Sequence, residues 1–322
     1  MLPTVKVKPF ILLAIVLILA GCSSQKSQWK AQIGQKLVQA QSAIDNLESS
    51  LSRGTIRNAL LLTSYGDALK RQNPDMASVV NVLVQDAKWD GPMAKNLKDR
   101  LERAKGDAPD VLNRGEKDVT RFIRELDAIT DGSSPVLYGL MLSDPINVIA
   151  DMSNGTLGRV ESMSKNASAS ANNEADYGKG SQLIGNPHYG GWQSGIGGQS
   201  IWAWYGMYSL FSNFSRGPVY YGSWASQRPY SYYSDYGRNY YTSPSQRSSQ
   251  NDTRARTEKK FKQQGKSFNS PYAKKRTGGA ATASVTQRAA RSSRKSSSFK
   301  SSYSSSQRSS SYKTSRSFGG GK

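Results

Sequence analysis

The sequence predicts a mainly α-helical protein, in which an antiparallel helical bundle precedes an irregular aromatic and glycine-rich region and a long disordered basic tail. Three observations support this prediction. Apolar residues recur at helical spacing through residues 24–165, aromatic residues concentrate between 189 and 241, and positive charge concentrates after 241. These changes divide the chain into an N-terminal apolar segment (1–21), a helical domain (22–165), a flexible linker (166–188), an aromatic region (189–241) and a Ser-rich basic tail (242–322).

The first segment has the layout of a secretory signal peptide. Two lysines precede an uncharged apolar run, residues 10–20. This run is about half as long as the roughly 20 residues that a membrane-spanning helix requires. It closes on the tetrapeptide Leu19-Ala20-Gly21-Cys22, which contains the only cysteine of the chain. The tetrapeptide resembles the lipobox of bacterial prolipoproteins, which reads Leu, then Ala or Ser, then Gly or Ala, then Cys.

This resemblance implies that the chain is cleaved between Gly21 and Cys22, and that Cys22 carries a diacylglyceryl thioether and an acylated amino group. Each acyl CH₂ buried in a bilayer contributes about 0.8 kcal/mol, so several chains anchor a protein stably. Ser23 and Ser24 follow the cysteine, where an aspartate would by analogy favour the inner membrane. We therefore expect an envelope protein anchored in the outer membrane and facing the periplasm. The alternative is an uncleaved signal anchor with an incidental cysteine.

The helical domain begins with an amphipathic stripe whose members are three or four positions apart: Trp29, Ile33, Leu37, Ala40, Ile44, Leu47 and Leu51. Such spacing predicts one buried helix face, and Gly54 predicts the end of this helix. The stripe also approximates three heptads, so a coiled-coil dimer is an alternative.

Five further helices are expected in this domain. The second covers residues 56–69, and Asn73-Pro74 begins the third. The fourth covers residues 93–104 and ends at an interruption over 106–109. The fifth covers 116–130, and Asp144-Pro145 begins the sixth after a short apolar run that is either a buried helical turn or a linker. Short connections between helices predict antiparallel neighbours, and the apolar stripes are interpreted as core packing.

The next two segments lose this periodicity. Residues 166–180 are rich in Ala, Ser, Asn and Gly, which predicts a flexible linker. The aromatic region then holds more than half of the aromatic residues of the chain. It is interpreted as an irregular cover on the bundle, as a membrane-interface segment, or as a platform that stacks on sugars or bases. The candidate interface or stacking residues are Trp202, Trp204, Tyr205, Tyr208 and Phe211.

The basic tail carries 19 basic and 2 acidic residues, a net charge of +17 out of +21 for the whole chain. Its low aliphatic content predicts disorder, with a possible helix near residues 251–264. Cations interleaved with single aromatic residues favour polyanion binding, and a solvated spacer is the alternative. The candidate polyanion-binding residues are Lys259, Lys260, Lys262, Lys274, Lys275, Arg276, Arg291, Arg294 and Lys295.

The sequence contains few residues that could support enzymatic catalysis. His188 is the only histidine and lies in a loop-like Gly-Asn-Pro-His-Tyr context, where a surface or stacking role is favoured over that of a base. One histidine and one lipidated cysteine cannot form a Cys/His zinc site, so no metal or cofactor is expected. We expect a non-enzymatic lipoprotein whose tail binds lipopolysaccharide, anionic lipid or peptidoglycan, and the signal argues against nucleic acid as a partner. The alternative is a helical module that binds another envelope protein.

Overall fold

The computed structural model describes residues 9–279, 282 and 284–289, with side chains from residue 24 onward except that of Ile196. The predicted mainly α-helical fold is confirmed. The structure has eleven α-helices between residues 9 and 263, a further helical stretch at residues 284–289, short 3₁₀ and π segments, and one two-stranded sheet. Arg291, Arg294 and Lys295 lie outside the described residues.

The first helix, α1 (Pro9–Ser52), follows the predicted stripe. Ile33, Ala40, Ile44 and Leu47 are buried, because their spacing places them on one side of the helix. That side packs mainly against α5 (Glu116–Gly132) and α4 (Pro92–Val111). Beyond the end of α1, Gly54 adopts the left-handed conformation with φ of 65°, which matches the predicted helix stop.

The remaining helices of the bundle are α2 (Arg57–Gln72), α3 (Ala77–Val84), α6 (Pro135–Met141) and α7 (Ser143–Met152). Two 3₁₀ turns flank α3, at Pro74–Met76 and Gln85–Ala87. The predicted interruption over residues 106–109 is wrong, since α4 continues through Pro109 to Val111. Val111 packs with Ile33 and Val119 in a small apolar cluster. We attribute the continuation to this burial, which offsets the cost of a proline in a helix.

The predicted flexible linker contains ordered structure, so this prediction is wrong. Helix α8 (Lys165–Asn172) lies at its start, and Leu183 and Ile184 are buried further along. Asn172 donates from Nδ2 to the Thr277 carbonyl at 2.7 Å and accepts from the Thr277 N–H at 2.9 Å. This two-way bond joins the segment to residues 105 positions away, which a local reading of composition does not reveal.

The aromatic region contributes to the main core. Strands β1 (Gly190–Ser194) and β2 (Ser200–Trp204) pair antiparallel, with Trp192 opposite Trp202. A 3₁₀ segment (Gly206–Phe214), α9 (Tyr221–Gln227), a π turn (Tyr233–Gly237) and α10 (Arg238–Tyr241) follow. The main hydrophobic cluster joins residues of the bundle to aromatic residues of this region, among them Tyr189, Tyr208, Phe211, Tyr232, Tyr233 and Tyr241.

The predicted start of disorder at residue 242 is wrong, because the first part of the basic segment forms a helix that includes most of the one allowed near residues 251–264. Helix α11 (Pro244–Gln263) begins with a capping box, in which the Ser243 hydroxyl accepts from the Gln246 N–H and the Gln246 amide oxygen accepts from the Ser243 N–H. Beyond α11, Phe268 and Tyr272 pack against a second aromatic cluster around Tyr221 and Trp224. Local capping and these long-range contacts order the segment.

Within the part of the chain that the structure describes, no helix is both long enough and apolar enough to span a bilayer.

Candidate anion-binding site

Helix α11 is polar on almost every face. Gln250 and Thr253 are its only buried residues. The Gln250 side chain accepts from Arg238 Nε and donates to the Tyr233 hydroxyl, each at 2.8 Å. A buried amide therefore attaches a helix whose other residues are mostly exposed.

The exposed surface of α11 carries unpaired positive charge. Arg254, Lys259 and Lys262 are exposed, and in the described part of the chain none of them lies within ion-pair distance of a carboxylate. Asp252 and Glu258 are the acidic residues of this helix and are also exposed. Because unpaired surface cations are neutralised by mobile counterions, this face can bind a polyanion and release those ions.

The other described residues predicted to bind polyanions have different surroundings. Lys274 is exposed, and Lys275 places its ammonium 3.9 Å from the centre of the Tyr236 ring. Arg276 has a structural role, because its N–H donates to Asp235 Oδ1 at 2.9 Å and its Nη2 donates to the Ser226 carbonyl at 2.7 Å. Burial lowers the pKa of Arg276 below its ordinary value. The structure therefore brings together Lys259, Lys260 and Lys262 on one helix and separates Arg276 from them.

A cavity of about 370 Å³ lies beside the C-terminal end of α11, and we call it the Tyr220 cavity. It is lined by residues of the β1–β2 turn, of the start of α9 and of the end of α11: Gly198, Gln199, Ser200, Tyr220, Gly222, Ser223, Thr257, Lys260, Phe261, Gln264 and Lys266. Among these residues there are two lysines and no carboxylate. The Lys260 ammonium donates to the Gly197 carbonyl at 2.6 Å, whereas the ammonium of the exposed Lys266 has no hydrogen-bond or ion-pair partner in the described part of the chain.

The end of α11 fixes the position of Lys266. Gly265 has a φ of 67°, and its N–H donates to the Lys262 carbonyl at 3.1 Å. The Lys266 N–H then donates to the Phe261 carbonyl at 2.9 Å. These are the two hydrogen bonds of a Schellman motif, which favours glycine at the left-handed position. The motif turns the chain back, so Lys266 and Phe261 line the same cavity.

The two aromatic rings of the cavity are held by different contacts. A β-carbon at Gly222 would lie 2.9 Å from ring atoms of Phe261, so the glycine permits their close approach. The ring of Phe261 also meets Phe268 edge-on, with centroids 5.4 Å apart. Tyr220 pairs with Ile201 through an isolated β-bridge and is 37% exposed. Sequence reasoning named Lys260 but missed Tyr220, Phe261 and Lys266, although Gly265-Lys266 after a helical segment is a recognisable stop signal.

Comparison with known proteins assigns no function to this surface. The chain matches no protein family model, no curated protein and no solved structure. The interpretation therefore depends on the charges and geometry of the residues themselves.

The predicted interface or stacking residues are mostly part of the core. Trp202, Tyr208 and Phe211 are at most 7% exposed. The partly buried Trp204 stacks on Phe211 with centroids 5.1 Å apart. Tyr205 is 47% exposed and is the one ring of the five with a large free surface. This burial favours the interpretation of the aromatic region as a cover on the bundle.

His188 belongs to a buried polar cluster. Its Nε2 lies 2.8 Å from Asp86 Oδ1 and 3.1 Å from the Tyr208 hydroxyl, and its ring meets Tyr189 edge-on at 4.8 Å. The Tyr189 hydroxyl donates to Asp86 Oδ2 at 3.2 Å. Burial and the Asp86 carboxylate raise the pKa of both tyrosines well above the ordinary value, so both stay protonated. Within the described residues, no group of three His, Cys, Asp or Glu side chains is placed to hold a metal ion.

Cys22 and Gly21 lie within the backbone of α1, but their side-chain positions lie outside those that the structure describes. The structure therefore describes the basic surface of α11, whereas lipid attachment at Cys22 stays a prediction from the lipobox.

Proposed function

We propose that this protein is a non-enzymatic lipoprotein of the bacterial envelope that binds anionic envelope polymers through its basic C-terminal segment. Acylated Cys22 anchors it in the outer membrane, with the helical domain facing the periplasm. The resemblance of Leu19-Ala20-Gly21-Cys22 to a lipobox supports the anchor. The unpaired cations on α11 support the polymer-binding role.

The exposed face of α11 is the observation on which the binding role depends. A helix that buries only two residues contributes little to the core, yet it presents Arg254, Lys259 and Lys262 to solvent. The polymers available on the periplasmic side carry lipopolysaccharide phosphates, phospholipid phosphates or peptidoglycan carboxylates. Each contact between such a group and an ammonium or guanidinium releases a counterion, so the affinity falls as salt rises.

Charge substitutions on α11 test the binding role. We expect the triple variant Arg254→Gln, Lys259→Gln, Lys262→Gln of the full chain to elute from immobilised heparin at lower salt. The slope of log K against log salt should decrease by about two to three, since each cation that is removed releases about one counterion fewer. A matched control replaces Arg57, Arg71 and Lys95, three exposed cations of α2 and α4 that have no ion pair within the described residues. An equal decrease in the control would show that net charge alone governs retention and would contradict a role for α11.

Deleting residues 242–322 is not a suitable test, because part of this segment belongs to the fold. The buried guanidinium of Arg228 donates from Nε to the Pro271 carbonyl at 2.8 Å, and Phe268 and Tyr272 pack on the second aromatic cluster. Point substitutions on the exposed face leave these contacts intact.

Metabolic labelling with a palmitate analogue tests the anchor. We expect the wild-type chain to incorporate the label and to sediment with outer membranes, and Cys22→Ala to do neither. A label retained by the alanine variant would contradict anchoring at Cys22.

A further inference from the structure

We propose that the Tyr220 cavity is a binding site for a sugar that bears a carboxylate, as in an acidic glycan. This proposal rests on the proposed function, since it assigns one class of anionic polymer to one site on the basic segment. Its volume of about 370 Å³ is within the range of pockets that hold small ligands. The site is separate from the exposed cations Arg254, Lys259 and Lys262, none of which lines it.

The two rings favour a sugar over a simple anion. Tyr220 and Phe261 both line the cavity, and Tyr220 keeps 37% of its surface exposed. The face of an aromatic ring carries partial negative charge and attracts the weakly positive C–H groups of a pyranose ring. A phosphate or sulfate ion has no apolar face to pack against these rings.

The polar side chains of the cavity provide partners for sugar hydroxyl and acetamido groups. Gln199, Gln264 and Ser223 are exposed and line the cavity. Within the described residues their side chains make no hydrogen bond. Each amide offers donors and an acceptor, and a serine hydroxyl offers both roles. This mixture suits a ligand with many hydroxyl groups of variable orientation.

The charge of the cavity favours a single carboxylate. Lys260 already donates to the Gly197 carbonyl, which leaves Lys266 as the unpartnered cation among the lining residues. No arginine lines the cavity, whereas guanidinium groups are the residues favoured for bidentate recognition of phosphate. The free Lys266 ammonium beside two rings therefore provides a direct partner for one sugar carboxylate, and Lys260, held at the Gly197 carbonyl, adds its positive charge.

Two disaccharides that differ in one carboxylate test this proposal. The acidic probe is N-acetylglucosamine linked to N-acetylmuramic acid, and the neutral probe is the dimer of N-acetylglucosamine. Inorganic phosphate is the third probe. Saturation-transfer NMR on the full chain in non-ionic detergent gives the affinity of each sugar and its competition by phosphate. We expect the acidic disaccharide to bind about fivefold more tightly than the neutral one, the size of one exposed ion pair.

Three variants assign that preference to residues. We expect Lys266→Gln to remove the preference for the acidic sugar and to leave binding of the neutral sugar unchanged. Tyr220→Ala should weaken both sugars about tenfold through loss of stacking. Lys95→Gln is the control, because Lys95 is an exposed cation of α4 that neither lines the cavity nor belongs to the basic face of α11, and it should change neither sugar.

Several results would overturn the assignment. These are the absence of sugar binding, equal affinity for both disaccharides in the wild type, or displacement of the acidic sugar by phosphate at an equal concentration. A chain that binds no sugar but retains salt-sensitive heparin binding through Arg254, Lys259 and Lys262 would refute the cavity proposal alone. Absence of heparin binding alone would refute the proposed function of α11.

Discussion

Asp86 and His188 are 102 positions apart in the chain, and their carboxylate and imidazole lie 2.8 Å apart in the interior. Asp86 belongs to the turn after α3, and His188 precedes β1. The hydroxyls of Tyr189 and Tyr208 also approach this carboxylate, at 3.2 Å and 3.4 Å. The Asp86 carboxylate is therefore a buried acceptor that attaches the aromatic region to the bundle in addition to apolar packing.

Replacing this acceptor should destabilise the protein. We expect Asp86→Ala to lower the free energy of unfolding by about 3 kcal/mol, because it leaves buried donors of Tyr189, Tyr208 and His188 without their acceptor. Urea denaturation monitored by tryptophan fluorescence measures the change. Asp90→Ala is the control, since Asp90 is exposed and should alter stability by no more than about 0.5 kcal/mol. A small effect of both substitutions would contradict a structural role for Asp86.

Asp144 should make stability depend on pH. Its buried carboxylate accepts from the N–H groups of Tyr232 and Tyr233 at 2.7 and 2.9 Å and from Gln182 Nε2 at 2.7 Å. Burial raises the pKa of Asp144 to about 7, and these hydrogen bonds only partly oppose the rise. The folded state therefore holds a proton that the unfolded state releases above its ordinary pKa of 3.8. Stability should fall as pH rises from about 4 to about 7, by up to roughly 1.4 kcal/mol per pH unit.

Urea denaturation between pH 4.5 and 7.5 measures this slope, and Asp144→Asn should reduce it. Burial also raises the pKa of Asp151, which adds a slope of the same sign to both proteins. The difference between wild type and variant is therefore the informative quantity. Identical slopes would show that Asp144 does not change its protonation in this range.

Breaking the buried ion pair between Arg228 and Asp235 should lower the free energy of unfolding much more than breaking an exposed pair. Arg228 donates from Nη1 and Nη2 to the two carboxylate oxygens at 2.9 and 2.6 Å, and both side chains are at most 1% exposed. Asp235→Asn leaves an uncompensated buried guanidinium and should cost about 3–5 kcal/mol. The control is Asp176→Asn, which breaks the exposed pair with Arg216 and should cost less than about 1 kcal/mol. Similar costs in thermal or urea unfolding would contradict this ranking.

Substitutions at two glycines distinguish the energetic cost of backbone strain from the cost of a steric clash. Gly185 and Gly197 both have positive φ, at 89° and 70°. A β-carbon at Gly185 would lie 2.3 Å from the Trp224 ring, whereas one at Gly197 would meet nothing within 4 Å. Gly197→Ala should cost about 1 kcal/mol through strain alone. Gly185→Ala should cost about 1–3 kcal/mol more, because the Trp224 ring must move. If urea denaturation gives both variants the same loss of unfolding free energy, the Trp224 ring moves aside at no energetic cost.

The amphipathic pattern was sufficient to predict the bundle. Ile33, Ile44 and Leu47 are buried as their spacing indicates. Apolar residues at a period of 3.6 lie on one side of a helix, and that side faces the core. The pattern failed where distant contacts outweigh local preference. Pro109 signals a helix end, yet Val111 continues the helix by packing on Ile33 and Val119.

The aromatic region and the candidate site were less predictable for the same reason. Lys260 was identified from its charge, but nothing local indicates that Tyr220 and Lys266 line one cavity. Their proximity depends on the packing of α9 against α11 and on the left-handed turn at Gly265. Likewise, the composition of residues 166–180 suggests a linker, whereas contacts with distant residues, such as the bond between Asn172 and Thr277, order it.

The bond between Asn172 and Thr277 also determines when the molecule can finish folding. Because these partners are 105 positions apart, their bond closes a long loop, and the entropy cost of that closure comes before its contacts are gained. Ala289 contributes to the same hydrophobic cluster as Ala40 from the first helix. Core closure thus waits for the last described residues, and such non-local topology slows folding further. We therefore expect the helices to form before the interior closes, with apolar surface exposed until the C-terminal segment packs.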